Sequence, residues 1–129
     1  MPFVRIDLSK KYPEGFAQQV GEIVYGAMRK HINVPEDDKF QVITRHESNE
    51  LVMPKSYLGI EYSEGVIFIQ VTLNEGRATD MKKSFYRAIC DDLVEKLKVR
   101  PQDIVINLVE VSKENWSFGC GEMQYAPKD

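Results

Sequence analysis

The amino-acid sequence predicts an α/β (α+β) domain of two fused β-α-β units, with a four-stranded sheet, two helices on one face and a C-terminal hairpin. Three observations carry this expectation. Short alternating apolar runs precede amphipathic stretches, each stretch stops at a proline, and the order strand, helix, stop, strand occurs twice.

The first strand is Phe3-Val4-Arg5-Ile6-Asp7-Leu8, where Val4, Ile6 and Leu8 share one face at a spacing of two. Pro13 suits the first turn of a following helix, on which Phe16, Val20, Ile23, Val24, Ala27 and Ile32 recur along one side. Asn33-Val34-Pro35 stops it, because proline cannot continue a helix and restricts the residue before it. A second strand is expected from about Phe40 to Arg45. The mixed segment from Glu47 to Glu64, with Pro54 and Gly59, separates the units.

The second unit repeats the order with a strand from Val66 to Leu73, a turn at Asn74-Glu75-Gly76 and a helix from about Ala78 to Lys98. Met81, Phe85, Ala88, Ile89 and Leu97 form its apolar stripe, with Asp80, Lys83, Arg87, Asp91 and Glu95 turned outward. It stops at Val99-Arg100-Pro101, before a strand from Ile104 to Val111. Pro35 and Pro101 stand 66 positions apart, as do Asp37 and Asp103, so Asp37 is expected to share a structural role with Asp103. The pseudo-repeats run from about residue 2 to 46 and from 65 to 111, within a single domain spanning 1–129. Trp116 and Phe118 alternate with Ser117 ahead of Gly119-Cys120-Gly121, which reads as a hairpin.

Right-handed crossovers place both helices on one sheet face. The opposite face has no helices left to cover it, so burial against other copies of the chain, as an obligate homotrimer, is expected.

Composition narrows the function. The 17 basic and 20 acidic residues are interspersed, without the Lys/Arg block that a phosphate backbone requires, so no nucleic acid partner is expected. The apolar run from Gly65 to Leu73 is too short to span a bilayer and no signal core opens the chain, which predicts a cytoplasmic protein without a membrane partner. Cys90 and Cys120 match neither a zinc site nor a disulfide framework and are expected to be reduced and structural. His46-Glu47-Ser48-Asn49-Glu50 lacks the second histidine of a zinc protease, and the Gly119 segment completes no nucleotide loop, so neither metal nor cofactor is implied. His31 and His46 read as ordinary surface or capping residues.

Two features point to chemistry. Pro2 follows Met1, and a small second residue permits removal of the initiator, leaving a secondary amine at a strand start. An α-amino group titrates at about 7.7–8.0, close enough to neutrality for either acid or base work. Arg77 follows Gly76 at the start of the second helix, where a guanidinium and backbone N–H groups together hold a carboxylate.

Glu75-Gly76-Arg77, followed by a polar residue, an acid and Lys82, resembles the signature turn of 4-oxalocrotonate tautomerase-like proteins. A wider likeness runs through Asn33-Val34-Pro35-Glu36-Asp37-Asp38-Lys39-Phe40-Gln41-Val42, Phe85-Tyr86-Arg87, Trp116-Ser117-Phe118-Gly119 and Gln124-Tyr125. These segments resemble malonate semialdehyde decarboxylase, a fused, trimeric member of the tautomerase superfamily. The resemblance implies that Pro2 is the catalytic amine, that Asp38 assists by hydrogen bonding or positioning water, and that Arg77 binds a substrate carboxylate. Trp116, Phe118 and Tyr125 would then form the apolar pocket wall. The decarboxylase pattern has two arginines on the turn into the second helix; here Glu75 replaces one, and the turn is one residue longer. The expected activity is therefore cofactor-independent tautomerisation of a small 2-oxo acid. The alternatives are decarboxylase or hydratase chemistry, or a non-catalytic binding module on the same fold.

Overall fold

The computed structural model describes residues 2–126, so retention or removal of Met1 lies outside the described residues. Strand β1 (Phe3–Ser9) leads to helix α1 (Phe16–His31) and strand β2 (Gln41–His46). A two-stranded ribbon, β3 (Ser56–Tyr57) with β4 (Ile60–Glu61), occupies the inter-unit segment. Strand β5 (Ile67–Asn74), helix α2 (Thr79–Leu97) and strand β6 (Ile104–Val111) complete the second unit. The sheet order is β2-β1-β5-β6, parallel within each unit and antiparallel where β1 meets β5.

The alternation in β1 and β5 explains the packing. Val4, Ile6, Leu8, Ile67, Ile69, Val71 and Leu73 turn to one face and are buried with Val20, Val24, Met28, Phe85, Ile89 and Leu93 from the helices. Both helices thus share one side of the sheet. The other side is mixed, with Phe3, Val42, Phe68, Val105 and Val109 interspersed with Arg5, Asp7, Gln70 and Asn107. Gln70 donates to Asn107 at 3.1 Å, and the His46 ring meets the Asp7 carboxylate at 2.6 Å, which gives His46 a partner on that face.

The repeat is tighter than the prolines indicate, and its offset is 65 rather than 66. Asn33 and Lys98 both adopt φ 58° just after their helices. Val34 N–H then donates to Met28 O and Val99 N–H to Leu93 O, both at 3.2 Å, as the same helix end twice over. At this offset the counterpart of Asp103 is Asp38, and the expected pairing of Asp37 with Asp103 is corrected. Asp37 is exposed at φ 67°, and its N–H donates to the Tyr25 hydroxyl. Asp103 is buried; it accepts the Ser63 N–H at 2.9 Å, is hydrogen-bonded by the Ser63 hydroxyl, and meets Arg100 at 3.1 Å.

That difference makes a stability prediction. Asp103→Ala leaves the Ser63 donors and the Arg100 charge without their acceptor. It should destabilise the chain by about 2–4 kcal/mol, read as a lowered midpoint in denaturant unfolding.

Two further expectations are corrected. Pro13 precedes the helix rather than opening it, since Gly15 at φ 86° turns the chain first and Phe16 N–H donates to Pro13 O. The C-terminal segment is not a hairpin. After β6 a short 3-10 turn (Lys113–Asn115) leads into looped chain, in which Gly119, Cys120 and Gly121 all have positive φ. The Gln124 side chain supplies the bonds that a strand would have made, accepting the Phe118 N–H at 2.9 Å and donating to Gly119 O at 3.1 Å.

Candidate active site

One end of the sheet gathers the candidate residues, because β1 and β2 start there while β5 and β6 finish there. Pro2 is buried at the start of β1. Val4 N–H donates to Phe40 O at 2.9 Å, which ties that start to the segment carrying Asp38. On the other side Phe3 pairs with Thr72, bringing the end of β5 and the turn with Arg77 alongside.

Arg77 is half-buried, not a solvated helix-start residue. Gly76 at φ 116°, in a region that disfavours a side chain, allows the turn, and α2 begins only at Thr79. The guanidinium Nε donates to Ile32 O at 2.9 Å, where α1 ends, and Nη1 donates to Asn74 O at 3.1 Å, where β5 ends. These neutral acceptors orient the group without cancelling its charge. Nη2 donates to none of the described residues. Behind the turn, Lys82 donates to Glu110 at 2.6 Å. That bond, with smaller help from the Gly76 N–H and the Arg77 charge, holds the Glu110 carboxyl below the usual range.

Asp38 is half-buried on the loop into β2, its N–H donating to Pro35 O at 3.3 Å. Burial pushes its carboxyl above the ordinary aspartate range, while the charge of Arg77 pulls it part of the way back. The folded chain therefore holds this proton more tightly than the unfolded one, and the contribution of Asp38 to stability falls as pH rises through its raised pKa. Asp38→Asn should be at least as thermostable as the parent at pH 7. The difference should vanish below about pH 3.9, where both side chains are neutral; a lower melting temperature at pH 7 would contradict it.

The aromatic residues of the C-terminal loop pack on one another and on Phe40. Trp116 and Phe118 stack with ring centres 5.4 Å apart, Tyr125 meets Phe118 edge-on at 5.3 Å, and Phe40 lies 6.3 Å from Phe118. Trp116 Nε1 donates to Asn74 Oδ1 at 2.7 Å. Pro2, Asp38, Arg77, Trp116, Phe118 and Tyr125 thus belong to one neighbourhood. Sequence reasoning missed Asn74 and Phe40. Asn74 read only as a turn residue, although a half-buried indole N–H needs an acceptor and the polar residue closing β5 is the one aligned to supply it.

Other candidates lie elsewhere. Lys10 and Lys11 sit at the opposite end of β1, paired with Glu47 and Glu64. A surface cavity of about 980 Å³ borders α2 and is lined by residues such as Lys30, Arg87 and Ile106; it includes none of the candidate residues. Cys90 is half-buried, with its thiol pKa raised chiefly by burial, and Cys120 is exposed in the loop. Among the described residues no cluster of histidine, cysteine and acidic groups fits a metal, and no helix is long and apolar enough to cross a membrane.

The family described as tautomerase enzyme matches residues 38–119. The probable tautomerase YusQ of Bacillus subtilis (strain 168) is 40% identical over 124 residues, covering 96% of this chain and 98% of the relative. The solved structure of FG41 malonate semialdehyde decarboxylase inhibited by 3-bromopropiolate superposes with a TM-score of 0.88 at 28% identity. The match covers 95% of this chain and 93% of that one. A fused 4-OT, W0, solved as a symmetric trimer, shares the fold with a TM-score of 0.72 at 16% identity, covering 88% of this chain and 91% of that one.

Proposed function

Because this chain belongs to the tautomerase family, we propose that it interconverts the enol and keto forms of a small 2-oxo acid with the Pro2 amine as base. The observation that carries this reading is the convergence of a buried Pro2, a half-buried Asp38 and an oriented Arg77 against an aromatic wall. Removal of Met1 frees the secondary amine. Arg77 Nη2 takes the substrate carboxylate and offsets charge as the enolate develops. The neutral amine accepts the enol hydroxyl proton and returns it to the adjacent carbon, so that no cofactor enters the balance. Asp38 holds the reacting oxygen or a water, and the aromatic rings exclude bulk solvent.

A second reading is favoured by the likeness to malonate semialdehyde decarboxylase over nearly the whole chain. In that chemistry a protonated Pro2 polarises a carbonyl while carbon dioxide leaves. Single occupancy of the clamp by Arg77, with Glu75 in the neighbouring turn position, favours the tautomerase reading. Proton transfer demands less of the substrate's orientation than holding a carboxylate for cleavage. An activity panel of phenylpyruvate, a 2-hydroxymuconate-type dienol and malonate semialdehyde separates the two: turnover of the enols but not of the semialdehyde supports tautomerisation.

The assembly proposed is a homotrimer. The helix-free face carries Phe3, Val42, Phe68, Val105 and Val109, with Val42 40% exposed and Val109 37% exposed. Burying this mixed face between copies covers the apolar members and matches the polar ones across subunits, with the Pro2 sites near subunit boundaries. Light scattering at micromolar concentration should return three times the chain mass; a folded monomer would overturn this assembly.

A further inference from the structure

We infer that Asn74 is a positioning residue, one that holds the Trp116 wall and the Arg77 clamp in register for a carboxylate ligand. This rests on the reading of Arg77 as the carboxylate anchor. The juxtaposition is specific: a single residue contacts both groups, with its main-chain oxygen accepting from Arg77 Nη1 at 3.1 Å and its side-chain oxygen accepting from Trp116 Nε1 at 2.7 Å. Asn74 ends β5, so the most regular element nearby fixes its backbone, and the two groups that it holds come from irregular chain on either side. The loop bearing Trp116 carries three consecutive positive-φ residues, and the indole bond to Asn74 ties it to the end of β5, beside the Trp116–Phe118 stack. A neutral amide suits the place. It accepts the indole N–H without adding an anion beside Arg77 that would compete with the ligand.

Trp116 is the sole tryptophan in the chain, so its indole resonance and emission report this bond directly. The test compares the parent with N74A, N74D and W116F, using 3-phenylpropionate, a carboxylate that cannot tautomerise, as the calorimetric probe. N74A should shift the indole N–H resonance and weaken binding about 2- to 10-fold, the worth of one neutral hydrogen bond. N74D retains an acceptor and should keep the indole signal near that of the parent, yet it should bind the probe more weakly because its charge opposes the carboxylate. In the W116F background N74A should cost little more, because the donor is already gone.

An unmoved indole resonance in N74A, or equal and additive losses with and without Trp116, would overturn the inference, as would a parent protein that does not bind the probe. Binding that follows the predicted pattern without turnover of any enol would leave Asn74 in its role and overturn the proposed reaction instead.

Discussion

A chain whose Pro2 nitrogen is acylated, by retained Met1 or by an added residue, is expected to lose enol–keto turnover by about 100- to 10,000-fold, the usual contribution of a positioned acid or base. The argument is one of atoms. An amide nitrogen has no basic lone pair, so the carboxylate anchor and the aromatic wall survive while the proton carrier disappears. Circular dichroism and probe binding should therefore stay close to those of the processed protein. Intact-mass measurement identifies which form is present, and full activity in the acylated form would remove Pro2 from the mechanism.

Arg77→Ala is expected to raise KM for acidic substrates about 10- to 100-fold, the loss of a charged hydrogen bond of about 1.5–3 kcal/mol. The guanidinium is held by Ile32 O and Asn74 O, so its position is set before a ligand arrives and its binding energy is not spent on ordering the side chain. Arg77→Lys should recover only part of the loss, because an ammonium lacks the planar fork that bridges the two carbonyls. Unchanged KM in a folded Arg77→Ala protein would reduce the residue to a structural tie between α1 and β5.

The chain is a tautomerase superfamily enzyme, and much of its architecture was legible because the period-2 strands and the proline stops repeat. The repeat offset was misread for a physical reason. Prolines mark where a helix cannot continue, but the register is set by the left-handed residues Asn33 and Lys98, and lysine gives no hint of positive φ. The shift of one position exchanged Asp37 for Asp38 as the counterpart of Asp103. The same structural place thus holds a buried ionic latch in one unit and a candidate catalytic carboxyl in the other. The C-terminal loop escaped because its aromatics alternate as a strand would, while Gln124 replaces the ladder with side-chain bonds. Pro2, Asp38, Arg77 and the three aromatic residues were nominated through family likeness, and the fold brings them to one end of the sheet. Asn74 was not, since its role appears only when the Trp116 indole is seen to need its oxygen.

The central claim is that the Pro2 amine acts as a base, and titration of ¹⁵N-labelled proline alongside the pH–rate profile tests it most directly. The account predicts that phenylpyruvate enol–keto turnover rises with pH and that its midpoint coincides with the measured Pro2 titration. Activity confined to pH values below that midpoint would contradict the base assignment and transfer the site to the protonated-amine chemistry of a decarboxylase or hydratase.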